Sequence, residues 1–127
     1  MTNTFDWIEI RSRNIEATAD FYERLFGWKV TQKVSADELP VWLFDTGSQP
    51  RLENLRRGGI WLRPDDEPVG FVVYILVEDI DLVLGQVTEL GGKIVSQKTP
   101  QSPTANRAYC CDPDGNLFGL WEEKKEN

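Results

Sequence analysis

The side chains able to do chemistry in this chain recur at alternate positions. Trp7, Glu9 and Arg11 sit two apart near the start, and Arg107, Tyr109 and Cys111 sit two apart near the end. That spacing puts each set on one face of a β-strand. Both sets join aromatic surface to charge, and Tyr74 and Trp121 add further ring surface. Apolar walls with a few polar anchors describe a small-molecule site. Stacking and cation–π contacts on such rings suit a flat aromatic or a cationic ligand. Glu9, set among aromatics, is a candidate general base. Cys111 is a candidate nucleophile beside Arg107, but the chain has no histidine to activate it. The plainer readings are an ion-paired Glu9 and a Cys111 that fills strand space. Arg56 and Arg57 either bind an anion or are simply solvated.

The composition sets bounds on these chemistries. At 127 residues, 40% hydrophobic and with five Trp, the chain forms one domain with a real core. A net charge of −7 argues against a nucleic-acid footprint, which needs a basic face. No apolar run reaches membrane-spanning length. Residues 1–5 have neither a basic n-region nor an apolar h-region, so no signal peptide is expected. The two cysteines, Cys110 and Cys111, are adjacent and point to opposite faces of a strand. A reduced, cytoplasmic setting is the simpler expectation.

The elements that must position these residues occur twice. Moved by 65 positions, Ile10 falls on Ile75, Ile15 on Ile80, Leu25 on Leu90, Gly27 on Gly92 and Val30 on Val95, while Asn14 meets Asp79. Each half reads strand, helix cap, amphipathic helix, glycine stop, strand. Residues 5–11 alternate as a half-buried strand. Asn14 caps a helix whose buried stripe is Ile15, Ala19, Tyr22 and Leu25, with Gly27 as its stop. Strands follow at 28–34, 41–45 and 59–63, with a polar loop at 47–57. In the second half a strand covers 70–77. Asp79 caps a helix with a stripe of Ile80, Val83, Leu84, Val87 and Leu90, ended by Gly91 and Gly92. A strand at 93–97, a loop at 99–106 and a hairpin at 107–121 complete it, and the last five residues are expected to fray.

The hairpin fixes which residues share a face. Asp112-Pro113-Asp114-Gly115-Asn116 fits a three-residue loop with glycine at the left-handed position. That pairs Cys111 with Leu117, Cys110 with Phe118, Tyr109 with Gly119, Ala108 with Leu120 and Arg107 with Trp121. Ala108, Cys110, Phe118 and Leu120 form an apolar face suited to packing under a helix. Arg107, Tyr109, Cys111, Leu117, Gly119 and Trp121 form the other. By the same alternation Ile8 and Ile10, and Val73, Ile75 and Val77, belong under the helices. Trp7, Glu9 and Arg11, and Val72, Tyr74 and Leu76, face away from them. The expected fold class is α+β: two βαβββ modules, residues 5–63 and 70–122 joined by a linker at 64–69. Their curved mixed sheet forms a cup with the helices outside. The inward faces either line a pocket or form a filled core or a dimer interface.

At this point the residues resemble a family. FYERLFGWKV at 21–30, after the Asn14 cap, is similar to the first module of the vicinal oxygen chelate superfamily, the glyoxalase, bleomycin-resistance and extradiol-dioxygenase group. VEDID at 77–81, GGKIV at 91–95 and DPDGNLFGLWE at 112–122 are similar to its second module, so the resemblance spans nearly the whole chain. It implies a cup that usually holds a divalent metal, with His, Gln or Glu ligands on the first strand of each module and Glu on each closing strand. Here the first-strand positions match Trp7 and Val72. One closing-strand position matches Gly119, and the stretch 59–62 carries no ligand type. Trp, Val and Gly side chains offer no lone pair to a cation, and Glu9 alone is too little for a stable site. The expectation is therefore a metal-free, cofactor-free binder of a small aromatic or cationic molecule, similar to the drug-sequestering bleomycin-resistance branch. Relatives in that branch imply a homodimer. The alternative is a glyoxalase-like lyase or isomerase, or a dioxygenase, using an atypical metal site or Glu9 as base.

Overall fold

A computed structural model describes residues 3–36, 38–46 and 57–125. Contacts divide the chain into two compact units, Trp7–Val72 and Met1–Asp6 with Val73–Asn127.

The first unit holds β1 (Thr4–Ser12) from Trp7 on, then α1 (Ile15–Phe26), β2 (Lys29–Ala36), β3 (Leu39–Asp45) and β4 (Arg57–Leu62). β2 pairs antiparallel with β3, β3 antiparallel with β4, and β4 parallel with β1. Asn14 has extended backbone and accepts from the Ala17 N–H, which satisfies one open donor at the helix start. Gly27, at φ 77, ends α1 in the left-handed conformation that L side chains avoid. The core under α1 holds Ile10, Ile15, Ala19, Phe44 and Ile60.

The buried stripe of α1 is shorter than its spacing predicts: Ile15 and Ala19 are buried, but Leu25 is 58% exposed. Tyr22 stacks on Trp28 at 5.2 Å, and Trp28 stacks on Phe44 at 5.4 Å. This aromatic stack closes the core one turn early and leaves Leu25 outside it.

The second unit holds β5 (Gly70–Leu76) from Val73 on, then α2 (Ile80–Val87), β6 (Lys93–Ser102), β7 (Ala105–Cys111) and β8 (Leu117–Glu123). β5 pairs parallel with β8, β8 antiparallel with β7, and β7 antiparallel with β6. The connectivity repeats that of the first unit. The Asp79 cap repeats Asn14 nearly angle for angle, accepting from the Leu82 N–H. The core under α2 holds Val77, Ile80, Leu84, Ala108, Cys110 and Leu120.

Two expectations need correction in this unit. α2 stops at Val87 rather than at Gly91-Gly92, and the Gly92 N–H turns back to the Val87 carbonyl, leaving Leu90 79% exposed. The expected loop at 99–106 is largely strand, because β6 continues to Ser102 and Pro100 lies opposite Asn106. β6 is the last strand of its sheet, and an edge strand tolerates the N–H that proline lacks. The β7–β8 register is the one the turn residues predict, from Arg107↔Trp121 to Cys111↔Leu117. Asp112 holds the turn by accepting from the N–H groups of Asp114 and Asn116, with Gly115 at φ 89. The 47–56 part of the polar loop, including Arg56, lies outside the described residues.

Candidate functional site

In the first unit, Ile10 and Ile60 are buried under α1, so strand alternation turns Glu9, Arg11, Gly59 and Trp61 to the opposite face. The parallel register sets Glu9 beside Gly59 and Arg11 beside Trp61. Glu9 and Arg11 are both buried, and Arg11 Nε donates to Glu9 Oε2 at 2.7 Å. Trp7 lies across Gly59: a Cβ at residue 59 would stand 2.6 Å from Trp7 Cζ2. The Arg63 guanidinium lies over the Trp61 ring at 4.7 Å and is ion-paired with Glu67.

In the second unit, Ala108, Cys110 and Leu120 pack under α2, and the alternate residues of β7 and β8 face away from it. Tyr74 is 1% exposed and pairs in register with Gly119. Its ring lies edge-on to Tyr109 at 5.8 Å and to Trp121 at 6.1 Å, and its hydroxyl hydrogen-bonds that of Tyr109. Arg107 stands over the Tyr109 ring at 5.6 Å, and its Nη1 donates to Gln101 Oε1. Cys111 is half-buried opposite Leu117, whereas burial pushes the Cys110 thiol above its ordinary value, with Cys111 adding to the shift.

The predicted residues thus fall into two groups, each assembled within its own unit. Glu9 contacts Arg11, while Tyr74, Tyr109, Trp121 and Arg107 form a single cluster. Trp61 shares the face of Glu9 and Arg11 without being among the predicted residues. Its signal is a second repeat with a different offset: Gly59-Ile60-Trp61 matches Gly119-Leu120-Trp121 at a spacing of 60. The helices align at 65, because the connections before the closing strands differ in length. Strand register confirms the match, since Gly59 pairs with Glu9 and Gly119 with Tyr74, and residues 9 and 74 are themselves repeat equivalents.

A separate polar cleft of about 610 Å³ opens beside the start of α2. Glu122 is buried there and accepts from the Ile80 N–H and from Asn106 Nδ2, both at 2.9 Å, with Lys98 Nζ at 3.3 Å. Burial alone pushes the Glu122 carboxyl up, but these three donors together outweigh it and hold it below its ordinary value. Among the described residues, no group of three or more His, Cys, Asp or Glu could hold a metal ion.

A βαβββ module occurring twice, each closed by a Gly-x-Trp strand, defines an α+β protein of paired modules. The sequence model of the Glyoxalase/Bleomycin resistance protein/Dioxygenase superfamily matches residues 4–120, and the chain belongs to this family. It is 25% identical over 126 residues to CFP32 of Mycobacterium tuberculosis, which bears a glyoxylase name, covering 96% of this chain and 46% of that protein. It is equally similar to the anthracycline biosynthesis protein DnrV of Streptomyces peucetius, covering 92% and 46%. The chain thus spans about half the length of the curated relatives it matches. The fold is shared with the hypothetical protein BH1468 of Bacillus halodurans, at TM-score 0.73, 17% identity and coverage of 100% and 99%. It is also shared with Streptomyces coelicolor methylmalonyl-CoA epimerase in complex with 2-nitronate-propionyl-CoA, at TM-score 0.67, 15% identity and coverage of 98% and 100%.

Proposed function

We propose that this chain is a metal-free member of the family that binds a small aromatic or cationic molecule, in the manner of the bleomycin-resistance branch. One observation carries the reading. The positions where the family's closing-strand ligands would stand are Gly59 and Gly119, and aromatic rings occupy the space a side chain there would need. The first-strand positions are Trp7 and Val72, which have no donor atom for a metal. The residues present do not fit the family's metal.

Ligand contacts are assigned to Trp7, Glu9 and Arg11 in the first unit and to Tyr74, Arg107, Tyr109, Cys111 and Trp121 in the second. A homodimer in a reduced cytoplasmic setting completes this reading. Among the described residues, no helix is long and apolar enough to cross a membrane. The second reading, a lyase or isomerase with Glu9 as base, draws on the burial of that carboxylate on the same face. The Arg11 contact weighs toward a structural ion pair instead.

Metal analysis of the purified protein, alongside quenching of Trp fluorescence by aromatic compounds, tests the proposal. Quenching without metal is expected. Stoichiometric Ni, Zn, Mn or Fe would overturn the metal-free assignment, and a monomer at micromolar concentrations in light scattering would overturn the dimer.

A further inference from the structure

We infer that the outer face of α1 is the contact surface of a homodimer, where it meets the same face of a second copy about a two-fold axis. This places the homodimer of the proposed function on one face and rests on that reading.

The face is apolar, contiguous and open. Tyr22 is the hub of a ring cluster, with Phe21 at 5.2 Å and Phe26 and Phe71 each at 6.3 Å. Phe21 is 56% exposed, Phe26 59% and Phe71 57%. Beside them Ala17, Asp20, Phe21, Arg24 and Leu25 line an open groove of about 470 Å³. The fold itself does not require this surface. Under the 65-residue repeat, Phe21, Phe26 and Phe71 correspond to Gln86, Gly91 and Asp6. The aromatic face therefore belongs to the first unit alone.

Its size and charge fit a second copy of the chain. Three half-exposed phenylalanines and Leu25 present on the order of 400 Å² of apolar surface. Interfaces are about 60% apolar, so with its polar rim such a patch covers about 700 Å² per partner. A standard interface takes roughly 800 Å². Ala17, Phe21 and Leu25 lie at i, i+4 and i+8, which makes them one ridge of the helix. An antiparallel crossing centred near Phe21 sets the small Ala17 against Leu25 of the partner subunit. On the adjacent row it sets Asp20 against Arg24 of the partner subunit, and the two-fold axis makes that contact twice. Within one helix Asp20 and Arg24 stand 3.8 Å apart with both side chains largely exposed, so both charges are presented on this face. An anionic lipid surface fits it poorly, because α1 exposes Glu16, Asp20 and Glu23 against Arg24 alone.

Sedimentation velocity of the full chain at micromolar concentrations reads the association, with folding checked by circular dichroism. The parent is expected to be a dimer. F21D should weaken it at least about thirtyfold, whereas L82D, at an exposed leucine of α2, should leave it unchanged. D20R and R24D alone should each weaken it about tenfold, because like charges then oppose across the two-fold axis. An equimolar mixture of D20R and R24D should regain the parent's association, since one chain then carries arginine at both positions and the other a carboxylate at both. A dimer indifferent to F21D would overturn the α1 face and leave the homodimer standing. A mixture that fails to associate would overturn the antiparallel pairing. A monomeric parent would overturn the homodimer itself, and this face with it. Flotation of the parent with phosphatidylcholine vesicles, lost in F21D, would give the face to a lipid surface instead.

Discussion

The ring of Tyr74 lies so close over Gly119 that a Cβ at residue 119 would stand 2.8 Å from it. Tyr74 is almost fully buried and tied to Tyr109 through its hydroxyl, so it has little room to yield. The close approach makes glycine a packing requirement at residue 119, and at residue 59 a Cβ would meet the far end of the half-buried Trp7 side chain.

G119A should therefore destabilise the protein by about 1–3 kcal/mol, the usual cost of overpacking a filled site. Urea denaturation of G119A, Y74L and the double variant checks this. The double variant should lose less than the sum of the two single losses, because Y74L removes part of the ring that the new methyl would meet. Strict additivity would mean that the ring and residue 119 do not interact.

The ion pair between Glu9 and Arg11 is buried on both sides. Removing one partner of such a pair takes this counter-charge from a group already withdrawn from water. R11M should cost about 3–5 kcal/mol in a denaturant titration, whereas the paired change E9L/R11M should cost much less. Equal losses in the two variants would show that the pair's charges matter less than the volume they fill.

Glu122 makes stability depend on pH at the acid end. Its folded-state value lies below the ordinary 4.5 because Asn106, Ile80 and Lys98 outweigh the opposing effect of burial. A lowered carboxylate value contributes stability above the unfolded value, and that contribution is lost as pH falls through the folded one. At the alkaline end, Lys98 is raised above 10.5, chiefly by its hydrogen bond to Glu122, so its contribution is lost as pH rises through that raised value. Thermal melts from pH 6 down to pH 2 should show a steeper fall in the parent than in E122Q. Parallel curves would remove Glu122 from the acid transition.

The two helix caps should be energetically equivalent. N14A and D79A each remove a side-chain acceptor from a backbone N–H three residues on, at 3.0 and 3.2 Å. Each should lower stability by about 1 kcal/mol. Denaturation midpoints of the two variants test this, and a cost confined to one cap would show that the repeated geometry does not carry repeated energy.

Much of this fold is legible in the chain because its signals are local. Asn14, Asp79 and Gly27 act on donors, acceptors and φ angles within a few residues of themselves, and Asp112 to Asn116 set the β7–β8 register by turn geometry alone. The ends of the buried stripes were not legible. Leu25 and Leu90 continue the apolar spacing, yet both are exposed. Periodicity reports which way a side chain points but not where its partner layer stops. Trp61 is hidden from the 65-residue repeat for a related reason, since the closing strands repeat at 60 and the helices at 65.

The sequence by itself determined the repeated βαβββ pattern, the caps, the hairpin register and the absence of histidine. Each of these follows from residue type and near neighbours. Tertiary structure decided what fills the space beside Gly59 and Gly119. A missing side chain can leave a cavity or admit a neighbour, and only the long-range pairing of β1 with β4 and of β5 with β8 brings Trp7 and Tyr74 across those glycines.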